Sequence, residues 1–91
     1  MSALDGRILQ VQGNCRRFLN VSDRFIVGRD IYLFIEKERV SFHRSIVALS
    51  PNVTIERDLT LRPRDRKPFL GRALITRQSD TTVLWQFSSI A

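Results

Sequence analysis

The chain is short of most of what an enzyme site or a membrane anchor is built from. Its 91 residues include one cysteine, one histidine and four scattered glycines. Cys15, being alone, leaves no intrachain disulfide to form. The start, Met1-Ser2-Ala3-Leu4-Asp5, lacks the basic-then-apolar order of a secretory signal, so a cytoplasmic setting is expected. The longest apolar run, Ile31-Tyr32-Leu33-Phe34-Ile35, is far below the roughly 20 residues of a bilayer-spanning helix, and no membrane insertion is expected. One histidine and one thiol cannot furnish the Cys/His ligand set of a zinc site. His43, among polar neighbours, reads as a surface residue rather than the base of a triad. Arg16 and Arg17 follow Cys15, but no second cysteine or placed histidine turns that into a mechanism. Gly6, Gly13, Gly28 and Gly71 are too dispersed for a phosphate-cradling loop. Glu36/Glu38 and Glu56/Asp58 read as solvated faces rather than paired catalytic carboxylates. The expectation is a protein that is not an enzyme and needs no cofactor.

What is present is an ordinary globular composition, 43% hydrophobic and 26% charged, in a length that suits one domain over residues 1–91. The charge is lopsided: fifteen basic against nine acidic residues gives +6, and all the basic residues but Lys37 and Lys67 are arginine. Arginine's planar fork suits phosphate and carboxylate, although a GC-rich genome would give the same bias.

Hydrophobic periodicity is mostly two, the mark of half-buried strands. Strands are expected at Gly6–Gln12, Arg17–Val21, Arg24–Arg29, Ile31–Ile35, Ser45–Leu49, Val53–Arg62, Phe69–Arg77 and Thr82–Phe87. Turns are expected at Gly13-Asn14, Ser22-Asp23, Ser50-Pro51-Asn52 and Gln78-Ser79-Asp80. Within Val53–Arg62, Val53, Ile55, Leu59 and Leu61 share a face that Arg57 interrupts, which places Arg57 at an edge or in a pair. Val83, Trp85 and Phe87 should point into the core. Asp30–Leu49 has no glycine or proline and would also suit a helix around Glu36-Lys37-Glu38-Arg39. No apolar stripe at 3.6-residue spacing persists there beyond two turns, so two strands are expected. The sum is an all-β domain, a small antiparallel β-sandwich or a β-barrel.

Two basic clusters carry the recognition chemistry. One joins Arg16, Arg17, Arg24 and Arg29. The other runs Arg57, Arg62, Arg64, Arg66, Lys67, Arg72, broken by Asp58 and Asp65, and would bind nucleic acid or a nucleotide through phosphates. Single-strand binders add exposed aromatics, and only Phe69 lies near this cluster, at a position that reads as core.

Phe25-Ile26-Val27-Gly28-Arg29, followed by Ser41-Phe42-His43-Arg44-Ser45-Ile46-Val47, resembles the forkhead-associated (FHA) domain. Gly28-Arg29 matches the pair that ends that family's early strand, Ser41 its serine, Ser45 its small residue and Val47 its aliphatic. The resemblance implies a strand sandwich that reads phosphothreonine peptides, with Arg29 and Ser41 on the phosphate and Phe42 and Arg44 beside it. The sequence departs from the family at Arg44, where the bracing histidine stands, at Phe42, often basic, and in lacking the Thr-Asn-Gly element. Those departures fit a degenerate version that docks a protein partner without phosphate, as in a secretion-ring scaffold. Ser45–Asn52 with Phe69–Phe87 more loosely resembles the PilZ domain, which implies cyclic di-GMP binding. The segment Ala48–Val53 lacks that family's acid-or-amide and glycine.

Overall fold

The computed structural model describes residues 1–12, 15–37 and 39–89. Its frame is one four-stranded antiparallel sheet in the order β1-β4-β3-β2, from β1 (Ser2–Ala3), β2 (Thr54–Leu61), β3 (Phe69–Arg77) and β4 (Thr82–Ser89). The domain is therefore of the small, antiparallel, β-dominated class that the two-residue periodicity implied. The three long strands lie where alternation placed them. Along β3, Gly71, Ala73 and Ile75 are buried while Leu70, Arg72 and Leu74 are exposed, as the pleat requires. Val83 and Trp85 on β4 are buried and Phe87 packs against them, as expected. Trp85 also donates its indole N–H to the buried Ser2 Oγ at 2.9 Å, tying the N-terminus to the sheet. Arg57 lies on the edge strand β2, which is why it can interrupt an otherwise apolar face. Val53, expected on that face, is exposed.

The layer that covers the sheet differs from expectation. No strand forms at Gly6–Gln12, Arg17–Val21, Arg24–Arg29, Ile31–Ile35 or Ser45–Leu49. In their place stand helices α1 (Cys15–Leu19), α2 (Asp23–Ile26) and α3 (Arg39–Val47), with a 3₁₀ turn at Ile31–Phe34. Three isolated bridges, Ser2 to Ile8, Arg7 to Asp30 and Ile35 to Leu61, are the strand pairing this layer keeps. The Gly13-Asn14 turn lies outside the described residues.

The causes are local. Asp30 Oδ1 accepts from Tyr32 N at 2.9 Å, a capping bond that bends the chain into the 3₁₀ turn and competes with an extended backbone. The turn buries Ile31, Tyr32 and Ile35 and turns Leu33 outward. In α3, Phe42 and Ile46 are the buried residues. A spacing of four satisfies a period of two and a period of 3.6 alike, so the apolar positions alone do not separate strand from helix.

The core joins both layers. Ile8, Leu19, Val21, Ile26, Ile31, Tyr32, Ile35, Phe42 and Ile46 pack onto Ala73, Ile75, Val83 and Trp85. Tyr32 and Phe42 both lie within aromatic packing distance of Trp85, at ring centroids 6.0 and 5.8 Å away. Gly6 holds φ at +99°, and a Cβ there would stand 2.6 Å from the Tyr32 ring, so both conformation and space demand glycine. Arg77 clasps the two layers. Its guanidinium donates to Val47 O and Leu49 O at the end of α3, at 2.7 and 3.0 Å. It also donates to Ser79 O and Asp80 O in the β3–β4 turn, at 2.9 and 3.1 Å.

A candidate anion-binding depression

The second basic cluster does not act as one surface. Arg72 faces outward from β3 and is held by Asp58 and Glu56 on β2, at 3.0 and 3.1 Å. The Asp58 hydrogen bond, then the Asp58 and Glu56 charges, raise its pKa above the ordinary guanidinium value. Its charge is answered on the sheet. Arg57 donates to Glu56 O at 2.9 Å on the edge strand. Arg66 and Lys67 are exposed in the loop between β2 and β3. The six basic positions are thus divided among the sheet face, the edge and the loop.

Arg62 and Arg64 meet Arg29 instead. The three line one depression of about 380 Å³ together with Val21, Phe25, Leu33, Phe34, Pro63 and Asp65. Two separated segments build it. Residues 21–34 supply Arg29 and most of the apolar wall, and the chain leaving β2 supplies 62–65. Local bonds hold that second segment in place. Arg64 N donates to Leu19 O at 3.0 Å, and Asn20 Nδ2 donates to Arg64 O at 2.8 Å. Asn20 and Asp65 adopt φ of 54° and 55°, the left-handed region that Asn and Asp tolerate best after glycine. Arg62 N donates to Phe34 O at 2.7 Å, which ties the wall to the strand end.

The arginines keep most of their donor capacity for solvent. Arg29 Nε donates to Phe25 O at 3.2 Å, a bond that sets the direction of the side chain. Arg62 lies 3.9 Å from Glu36 and Arg64 3.9 Å from Asp65. The Arg64–Asp65 pair is open and contributes roughly 0–1 kcal/mol. Glu36 Oε2 is buried without a hydrogen-bond partner and has Arg62 as its nearest cation. Three guanidinium groups against these two carboxylates leave the local charge positive. Phe25 and Leu33, at 61% and 55% exposure, stand beside these cations.

The residues that the FHA resemblance singles out are spread over this layer. Gly28-Arg29 follows helix α2 rather than ending a strand. Ser41 and Arg44 are exposed on α3, Ser41 O accepting from Ser45 Oγ at 3.1 Å. Neither is among the residues that line the depression holding Arg29. Phe42, which the resemblance sets beside the phosphate, is instead buried against Tyr32 and Trp85 in the core. Phe25 and Val27 are both exposed. Phe69 is half-buried and stacks on Phe18, with centroids 6.4 Å apart.

The convergence of Arg29 with Arg62 and Arg64, and the apolar rim beside them, were missed in the sequence because they join segments some thirty residues apart. The local signal was Asn20 before Ser22-Asp23, turn formers that break a strand. His43, half-buried, shares a 2.9 Å hydrogen bond between Nδ1 and Tyr32 Oη. Burial, then the Asp30 charge, pushes the Tyr32 pKa up to about 12.

Among the described residues, no group of three or more His, Cys, Asp or Glu is placed to hold a metal ion. No helix among them is long and apolar enough to cross a membrane. Compared with protein-family models, curated proteins and solved structures, the chain finds no match.

Proposed function

We propose that the chain is a non-catalytic protein-interaction module that holds an anionic side chain of its partner, phosphothreonine included, in the Arg29–Arg62–Arg64 depression. The observation that carries this reading is the meeting of three arginines, weakly paired and drawn from two basic clusters, on one anchored wall. A phosphate or carboxylate entering there gains charge-assisted bonds from planar forks. In this version Arg29 keeps the role that the FHA resemblance gives it, and Arg62 and Arg64 take the place of Ser41.

The test is a fluorescence-polarisation screen of phosphothreonine, acidic and neutral peptides. Anionic peptides should bind with micromolar affinity and neutral ones should not. Arg29→Ala should weaken binding about ten- to a hundredfold, since a bond to a charged group contributes roughly 1.5–3 kcal/mol. Ser41→Ala should leave it unchanged. Neutral peptides binding as well as anionic ones, or no peptide binding at all, would overturn the reading.

A further inference from the structure

We infer that the partner segment carries an apolar side chain next to its anionic one, and that this side chain seats against Phe25 and Leu33. The inference rests on the reading above and specifies the ligand of the same depression.

Two large apolar residues stand open beside the arginines. Leu33 sits in a run whose neighbours Ile31, Tyr32 and Ile35 are all buried, yet it is 55% exposed. Phe25 precedes the fully buried Ile26 and is 61% exposed. Single exposed hydrophobics are common, but these two share one concave surface with three arginines. Apolar surface rimmed by polar groups is the usual mark of an interaction site. Val21 and Pro63, both buried, give that surface a firm floor.

Charge and scale identify the occupant. Three arginines face Asp65 within the depression and Glu36 beside it, in a chain that carries +6 overall. Complementarity therefore calls for an acidic partner. A volume of about 380 Å³ is near the low end of ligand sites, which run roughly 300–1,000 Å³. It accommodates a few side chains of an extended segment rather than a packed helix. The wall also favours peptide over nucleic acid. Stacking successive bases needs several flat aromatic faces, whereas this wall offers one, Phe25; Phe34 is half-covered and Val21, Leu33 and Pro63 are aliphatic. Such a wall suits one branched or aromatic side chain lying beside the anion.

The experiment uses four peptides on one scaffold, with the anion and the apolar neighbour each present or absent, titrated calorimetrically into the full chain. Phe25→Ala, Leu33→Ser and the surface control Leu70→Ser, on the outward face of β3, are titrated in parallel. All three positions are exposed, and circular dichroism confirms that each variant is folded. The peptide with both groups should bind tightest, and loss of its apolar side chain should weaken binding about tenfold. Phe25→Ala should cause the same loss for that peptide and none for the peptide with the anion alone, and Leu70→Ser should change nothing. Equal binding of the two anionic peptides, with Phe25→Ala silent, would overturn this inference and leave the function proposed above standing. If no anionic peptide binds, both fail together. A single-stranded oligothymidine that binds in their stead, with a log–log salt slope of about −2 for three phosphates and a loss on Phe25→Ala, would identify nucleic acid as the ligand and overturn the peptide assignment.

Discussion

Residues 54–89 and the described residues of 1–49 contribute to one core, yet they hold their shape by different means. The β2-β3-β4 meander satisfies its backbone through continuous ladders, Thr54–Leu61 against Phe69–Thr76 and Gly71–Arg77 against Val83–Ser89. Apart from the two-residue β1, which pairs with β4, the other half has short helices and single bridges, and depends on individual side chains to fix its backbone. Asp30 caps the 3₁₀ turn, Asn20 holds Arg64 O, and Arg77 receives the end of α3. A ladder spreads the loss of one residue over many bonds. A layer keyed by side chains loses a whole segment with one of them. The candidate site draws most of its wall from the keyed layer, where specific geometry is cheapest to build and easiest to lose.

Trp85 is where the two halves meet, so its removal should act on both. Trp85→Ala should cost about 3–5 kcal/mol, the range for large-to-small changes in a core, and leave Ser2 Oγ without its indole donor. Denaturant unfolding measures it. A near-neutral result would mean that the keyed layer does not lean on the sheet at all.

Arg77→Ala should cost about 2–3 kcal/mol, on the scale of hydrogen bonds to a charged group. The distribution is more telling than the size. Amide exchange should accelerate in α3 and in the β3–β4 turn while the β2–β3 ladder stays protected. Uniform acceleration would show that the halves unfold as one unit.

The smallest effect is a pH dependence confined to the keyed layer. Burial, then Asp30, raises the Tyr32 pKa from 10.0 in the unfolded chain to about 12. The folded state therefore holds its proton more tightly. The stabilisation is complete below pH 10 and is lost as pH rises toward 12. The rise from 10.0 to about 12 sets a ceiling of about 2.7 kcal/mol, which solvent screening at this partly open hydroxyl reduces. With one tyrosine in the chain, Tyr32→Phe should flatten the profile over that window. A variant that keeps the slope would assign it to another group.

The same division explains what could be read in the sequence. In β2 and β4 the two-residue alternation is visible, as in Val83, Trp85 and Phe87, and turn formers bound all three long strands. In β3, where Leu70 and Leu74 face outward, those turns carry most of the signal. Even the misfit Arg57 announced an edge. In the other half, the spacing of Phe42 and Ile46 fits helix and strand equally, and Asp30 decides the fate of Ile31–Phe34 through one backbone hydrogen bond. Hydrophobic periodicity registers neither. The site was half legible. Arg29, Arg62 and Arg64 were singled out as basic residues, but their meeting depends on Asn20 and Arg64 bonding across 44 positions of chain. Local pattern carries no trace of that.

The Asn20–Arg64 anchor also bears on how tightly anything could be held. Ordering a residue's backbone costs roughly 1–2 kcal/mol. Along the segment that carries Arg62 and Arg64, Leu19 O, Phe34 O and Asn20 Nδ2 restrain the backbone during folding. An arriving anion has only guanidinium rotamers to settle, at about 0.5–1.5 kcal/mol for each side chain. Asn20→Ala would transfer part of the loop's ordering from the folding step to the binding step. A residue that touches no ligand thereby sets how much of the contact free energy remains as affinity.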